Sequence, residues 1–435
     1  MILIFTEKIT PRVEYIFKLI FKNISGIDIE FSQNIEEFKI SDLPKINYSA
    51  KYFENEINIS PANLLFESEI KEQEIEVDQW QDLPVFYTSN PSSEFPFDPF
   101  AVSFYLVSGY EEYLPNKKLD KHGRFKAEES LVFKNGFFKK PLVNILAEKI
   151  KKVLLGKYPE IKFPSKKYEF IPTFDIDIAF AHLEKGLLRQ IAGYGKLALK
   201  FKCSQIVERT KTLLSLIDDP YDNFNFQRSV LEEYNLPSIY FVNLGNYSVY
   251  DNNVSFRRKK FRELIKNISE YSEIGIHPSY YSNKNPEKIN IEKSRLENIL
   301  NKKITKSRQH FLILKFPETY RNLIKAGITD DYSMGYASQA GFRAGICSPF
   351  YFYDLKNEEQ TNLKIHPFAF MDSMFVDYLK LNPTQTIDHV KLLIKEVKSV
   401  NGVLMGIWHN YLMSNKKDYL KMFEEIVNLA NPKLI

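Results

Sequence analysis

Glu169-Phe-Ile-Pro-Thr-Phe174 runs straight into Asp175-Ile176-Asp177, a short apolar β-run that ends in two carboxylates. The same pattern recurs along the rest of the chain. SIYFVNL (238–244), EIGIH (273–277), SRQHFL (307–312), short stretches around Ile328 and Ala344, and VLMGIW (403–408) all read as strands. Between them lie amphipathic helical runs such as FRRKKFRELIKNISEY, IEKSRLENILNKK, ETYRNLIKAG and TIDHVKLLIKEVKSV, and DYLKMFEEIVNLA follows the last strand. Strands alternating with helices predict a parallel sheet, and this many units in roughly 270 residues point to a β/α barrel. An open doubly wound sheet is the structural alternative.

In parallel β/α folds the reactive groups gather at the carboxyl ends of the strands. Here those ends carry Asp175 and Asp177, His277, Arg308 and His310, Asp330 and Asp331, and His409 with Asn410. Asp175 and Asp177 are two apart, so on a strand both face one side, where one carboxylate can bind a cation and the other accept a proton. The pair also fits a helix cap ahead of the AFAHLEKGLLRQ run. His277 and His310 are about one strand-helix repeat apart. With one carboxylate they form a recurrent catalytic zinc set that leaves a position open for water. His409 on the last strand is then free to act as a general acid. Trp408 reads as a sugar platform or as core, Arg343 as an anion partner or a salt-bridged arginine, and Asp372 as an orienting carboxylate for a histidine. His182 and His389 read as background in helical, charged stretches, and His366 is left open.

Upstream, ILIF at the N-terminus reads as a buried strand, PRVEYIFKLIFKN as a helix, and the residues to about Pro84 as short strands and turns. Asp98 and Pro99 fit the cap and first position of a packed helix, and PLVNILAEKIKKVLLGKY is a second. His122 in DKHGRF has no partner cluster nearby and reads as structural. The proline- and lysine-containing YPEIKFPSKKYEF reads as a linker. This places an α+β N-terminal domain at 1–165 and the barrel at 166–435.

The chain has 435 residues, 44% hydrophobic and 26% charged, which fits a globular protein. Lys+Arg 59 against Asp+Glu 55 leaves +4, too little to argue by itself for nucleic acid or membrane as partner. Two distant cysteines, Cys203 and Cys347, exclude a cysteine zinc cage. The opening apolar run is too short for a signal-peptide core and no run reaches a membrane span, so the expected location is cytoplasmic. Tyr 26 and Phe 35 raise the aromatic share to 14%, which suits sugar stacking and apolar cores equally.

The segments TFDID (173–177), IHPSYYS (276–282), SRQHFL (307–312), GFRAG (341–345) and GIWHN (406–410) together resemble the polysaccharide deacetylase superfamily, the NodB-like carbohydrate esterase family 4. FDPFAVSFYLVSGYEEYLP and DKHGRF look like the uncharacterised N-terminal domain of a divergent bacterial branch. The resemblance implies a distorted (β/α)7 barrel, with Asp175 as catalytic base, Asp177 and His277 as metal ligands, and His409 as general acid. There are two departures from the family pattern. The second carboxylate falls one residue later than in TFDDG, which leaves the roles of Asp175 and Asp177 exchangeable. Tyr281 stands where the family's second metal histidine belongs, and spacing makes His310 the replacement.

The activity the resemblance implies is metal-dependent hydrolysis that removes an N-acetyl group from an acetylated sugar or polysaccharide precursor, with a divalent ion such as zinc as cofactor. The rival class is a catalytically degenerate carbohydrate-binding or scaffold protein on the same barrel. Hydrolysis of another C–N bond, such as a cyclic amide, would use the same fold and metal.

Overall fold

The computed structural model describes residues 1–90, 93–414 and 417–434. The chain is mixed α/β, with three sheets among the described residues. At the N-terminus, β1 (Ile2–Phe5), β2 (Ile29–Ser32), β3 (Lys45–Asn47) and β4 (Ile57–Asn58) form a parallel sheet in the order β2-β1-β3-β4. A hairpin of β5 (Asp78–Trp80) and β6 (Leu83–Val85) follows. Asp98 caps the helix Pro99–Val107 by accepting from the N–H groups of Phe100 and Ala101 at 2.9 and 3.1 Å. Every residue of that helix is buried, because both of its sides have partners. Phe100 stacks on Phe17 at 3.8 Å, and Phe104 meets Tyr353 of the C-terminal part at 5.2 Å. One apolar core therefore runs through both parts of the chain.

The large sheet contains β7 (Glu169–Ile176), β8 (Ile239–Val242), β9 (Glu273–Ile276), β10 (Lys306–Ser307), β11 (Asp330–Asp331), β12 (Phe350–Asp354), β13 (Glu359–Ile365), β14 (Phe370–Met371) and β15 (Val403–His409). Their order is β12-β13-β11-β10-β9-β8-β7-β15-β14, parallel throughout except for the β12–β13 pair. β13 and β14 are consecutive and lie at the two ends of the parallel run, and the chain between them bridges those ends. His366 N–H and Phe368 N–H donate to the carbonyls of Asp331 and Met334 (2.8 and 3.0 Å), while Ala369 N–H donates to Met405 (2.9 Å). Amphipathic helices flank the sheet. In Lys259–Ile268, for example, Phe261, Ile265 and Ile268 point inward at helical spacing.

Three expected elements differ. SRQHFL is a strand only at Lys306–Ser307, after which the chain turns and Phe311 adopts φ +61°. The stretch around Ala344 forms turns, not a strand, with Phe342 N–H bonded to Phe138 O and Gly345 at φ +62°. No helix begins at residue 179, since the first helix after β7 starts at Leu187. The Asp219 carboxylate instead accepts from the N–H groups of Ala181, His182 and Leu183 at 2.7, 2.8 and 3.0 Å. Asp175 and Asp177 are thus not helix caps, and His182 lies outside a helix.

Candidate metal centre and active site

Parallel pairing of β7 with β15 and β8 brings the strand ends together, and side-chain alternation decides what faces the cleft. On β7, Phe174 stacks on Tyr240 at 4.5 Å, away from the cleft, so Asp175 and Asp177 face into it. On β15 the same alternation puts His409 in the cleft and turns Trp408 the other way, edge-on to Phe423 and Phe370. Of the two readings of Trp408, core is the one observed, and the sugar-platform role is corrected.

Asp177 Oδ1 lies 3.1 Å from His277 Nε2 and 3.4 Å from His310 Nε2. The distal nitrogen of each ring is committed elsewhere. His277 Nδ1 is 2.7 Å from the Arg308 carbonyl, and His310 Nδ1 is 2.9 Å from Asp251 Oδ1. Both partners only accept, so each Nδ1 carries the hydrogen, and in the neutral rings both Nε2 lone pairs are aimed at Asp177. Asp177 Oδ1 is itself buried without a hydrogen-bond partner. Three electron-pair donors converging on one point call for positive charge between them. The 3.1 and 3.4 Å separations match the ~3.3 Å edge of a tetrahedron with bonds of ~2.0–2.1 Å, so this donor set fits a divalent ion.

The same convergence governs titration. Burial works against the Asp177 carboxylate, but the His310 and His277 rings outweigh it and hold its pKa well below the usual range. Burial also works against a charged His310 ring, yet Asp177 and Asp251 push its pKa up to about 10, so a proton on Nε2 competes with a divalent ion for the same place between these donors.

Two buried pairs position the remaining groups. Arg308 Nη1 holds Asp175 Oδ1 at 2.8 Å, its Nε donates to Tyr332 O at 2.9 Å, and the guanidinium lies over the Phe241 ring. Asp175 Oδ2 is 3.8 Å from His277 Nε2. His409 Nδ1 is 2.6 Å from Asp372 Oδ1, and the His409 backbone N–H donates to Asp372 Oδ2 at 2.7 Å. Despite burial, Asp372, with help from Asp177 and Asp175, pushes the His409 pKa up to about 9.

Asp175, Asp177, His277, His310 and His409 line one cleft of about 190 Å³. Sequence reasoning missed three contributors. Asp251, which orients His310, sits in an aperiodic loop. Gln309 lines the cleft with its side-chain nitrogen buried and without a partner. Arg124 arrives from the N-terminal part, bonded to Asp120, to Phe311 O (3.1 Å) and to Tyr378 Oη (2.8 Å). The DKHGRF run that carries it was the available signal, with His122 beside Tyr280.

For Arg343 the salt-bridged alternative is the one observed, and the substrate or orienting role is corrected. Arg343 lies outside the cleft, held by Glu112 at 2.8 and 2.6 Å and by Gly335 O, because its guanidinium has a buried carboxylate from the N-terminal part. Tyr281 packs beside Tyr280 and Tyr250 and does not line the cleft. His366 pairs with Asp330 at 2.8 Å, apart from the site.

Residues 2–159 match a family of unknown function, DUF7033. No curated protein sequence matches the chain. Similar solved structures include a candidate polysaccharide deacetylase from Mycobacterium smegmatis (14% identity, 62% of this chain and 85% of that one, TM-score 0.41). The polysaccharide deacetylase Bc1974 from Bacillus cereus is another (12%, 60% and 88%, TM-score 0.29). A third is BA3943 from Bacillus anthracis, a pseudoenzyme of carbohydrate esterase family 4 (8%, 61% and 62%, TM-score 0.28). Likenesses this slight carry no argument, and the functional reading rests on the residues of this chain.

Proposed function

We propose that the chain is a metal-dependent amide hydrolase that removes the acetyl group from an N-acetylated sugar. The observation that carries this reading is the convergence of Asp177 Oδ1 with the Nε2 atoms of His277 and His310, next to a His409 oriented by Asp372. The bridged parallel run is read as a distorted (β/α)7 barrel, with 166–435 as the reacting unit and 1–165 as an accessory unit that lends Arg124 to the rim.

Asp177, His277 and His310 would hold the ion, and the nitrogen-rich donor set favours zinc. When bound, such an ion makes water nucleophilic near neutral pH and polarises a carbonyl oxygen. Asp175, with Oδ1 tied to Arg308, takes the proton of the attacking water on Oδ2. The Gln309 amide nitrogen, lacking a protein partner, donates to the oxygen on which negative charge develops. His409 in its imidazolium form gives its Nε2 proton to the departing amine, and Asp372 stabilises that cation throughout. Acetate and the free amino sugar are the products.

Acetate release from N-acetylated sugars tests the reading. Release that chelator abolishes and that His409→Ala lacks supports it. A protein that binds glycans without zinc and releases no acetate would belong to the scaffold class instead.

A further inference from the structure

The connection from β7 to β8 carries an insertion on the cleft side of the sheet, a hairpin of helices Leu187–Leu199 and Cys203–Leu213. No residue of its first helix is buried. Leu187, Leu188, Ile191 and Leu199 fall on one side at helical spacing and are 76, 83, 59 and 83% exposed, and Phe201 in the turn is 89% exposed. An apolar helix face with no protein against it marks an interaction surface.

On the other side of that helix, lined by Arg189, Ala192, Lys196 and Lys200 rather than by the apolar face, a groove of about 900 Å³ runs between the hairpin and Tyr411. Lys185, Arg189, Lys196, Lys200, Lys202 and Arg209 line it, and among the described residues none of the six is in an ion pair. Among the described residues the one carboxylate that lines the groove, Glu208, is paired with His182 at 3.3 Å. Arg209 is 6% exposed, and its Nε is buried without a partner. The small net charge of the whole chain conceals this local excess. Unneutralised cations walled by protein attract an anion, and guanidinium groups suit a phosphate. Tyr411 lines both the groove and the reactive cleft, so the two adjoin at that residue.

We propose that the hairpin is a docking surface for an anionic lipid bilayer, and that the groove beside it takes the phosphate of a membrane lipid carrying the sugar to be deacetylated. An exposed apolar helix face with lysines and arginines on the opposite face is the pattern of a helix lying in the membrane interface. No helix among the described residues is long and apolar enough to cross a membrane, which agrees with a helix that lies on the surface. Docking stands on the hairpin and groove alone, while the nature of the substrate rests also on the deacetylase reading above.

Co-sedimentation of the full chain with vesicles tests docking without any turnover. The protein pellets with phosphatidylcholine vesicles containing phosphatidylglycerol, not with phosphatidylcholine alone. Leu188→Asp with Ile191→Asp, and separately Lys196→Glu with Lys200→Glu, each lower the bound fraction about tenfold, with helical content by circular dichroism unchanged. Wild-type protein that stays in solution with anionic vesicles overturns the proposal. So does an apolar-face variant that binds as wild type, or a wild-type dimer that these substitutions convert to monomer without vesicles. In the second arm, Lys196→Glu with Lys200→Glu lowers acetate release from a vesicle-borne, phosphate-linked N-acetylglucosaminyl lipid about tenfold and leaves release from a soluble N-acetyl sugar unchanged. Equal loss on both substrates overturns the phosphate assignment. No release from either, with docking intact, defeats the deacetylase reading and leaves the docking surface standing.

Discussion

His409 Nδ1 sits 2.6 Å from Asp372 Oδ1, and on the other side of the ring Nε2 lies 3.7 Å from Asp177 Oδ2. The ring is held between a carboxylate that fixes its tautomer and the proposed metal ligand. Asp372→Asn keeps the size of the side chain but removes the charge that favours the imidazolium. Steady-state kinetics are expected to show a kcat loss of about 100-fold or more with KM little changed. A variant with wild-type kcat would remove Asp372 from the account.

Asp251 touches His310 Nδ1 and makes no contact with the proposed ion position. Asp251→Asn leaves an amide that can still accept the Nδ1 hydrogen without a full negative charge. Zinc titration should give an affinity about 10-fold to 100-fold weaker at unchanged stoichiometry. An unchanged affinity would mean that His310 needs no such support.

Gln309 puts an unpartnered amide nitrogen against the cleft. Gln309→Leu keeps the bulk and deletes the donor. The expected result is a fall in kcat of about 100-fold with zinc content intact. Loss of zinc together with activity would recast Gln309 as a structural residue.

Arg343 and Glu112 form a bidentate, buried ion pair between the two parts of the chain, with side chains 4 and 7% exposed. Removing one partner strands the other charge, so Glu112→Gln should cost about 3–5 kcal/mol in chemical denaturation. Replacing both residues with apolar ones of similar volume should recover most of that loss, because neither charge then remains buried.

Asp98 is buried, and burial outweighs its hydrogen bonds to Tyr48, Ala62, Ala101 and Phe100, pushing its pKa up to about 6 from 3.8. A carboxyl whose pKa is raised by folding contributes stability that is fully present below the unfolded value and lost as pH rises through the folded one. Between pH ~4 and pH ~6 this group alone should lower unfolding free energy by about 3 kcal/mol, and Asp98→Asn should flatten that slope. Equal slopes for the two proteins would contradict the assignment.

Much of the site is legible in sequence for a simple physical reason. Parallel strands put their carboxyl ends on one side, so polar residues that close apolar runs must meet, as Asp175, Asp177, His277 and His409 do. The two-residue alternation that pairs Asp175 with Asp177 also turns Trp408 away from His409, and that implication was available from the same run. Arg343 is different, because its partner lies 231 residues away and no local pattern reports it. Asp251 and Gln309 act through loop geometry, which periodicity does not encode. The hairpin's face is visible as Leu188, Ile191 and Leu199 at helical spacing, but that it lacks a covering partner emerges only from the packing.

Calorimetric titration of zinc into metal-stripped wild type and His310→Ala tests the central claim most directly. The account predicts one ion per chain for wild type, and an affinity lower by at least about 100-fold when the His310 imidazole is removed. Wild type that binds no zinc, or His310→Ala that binds it equally well, would contradict a centre built from Asp177, His277 and His310.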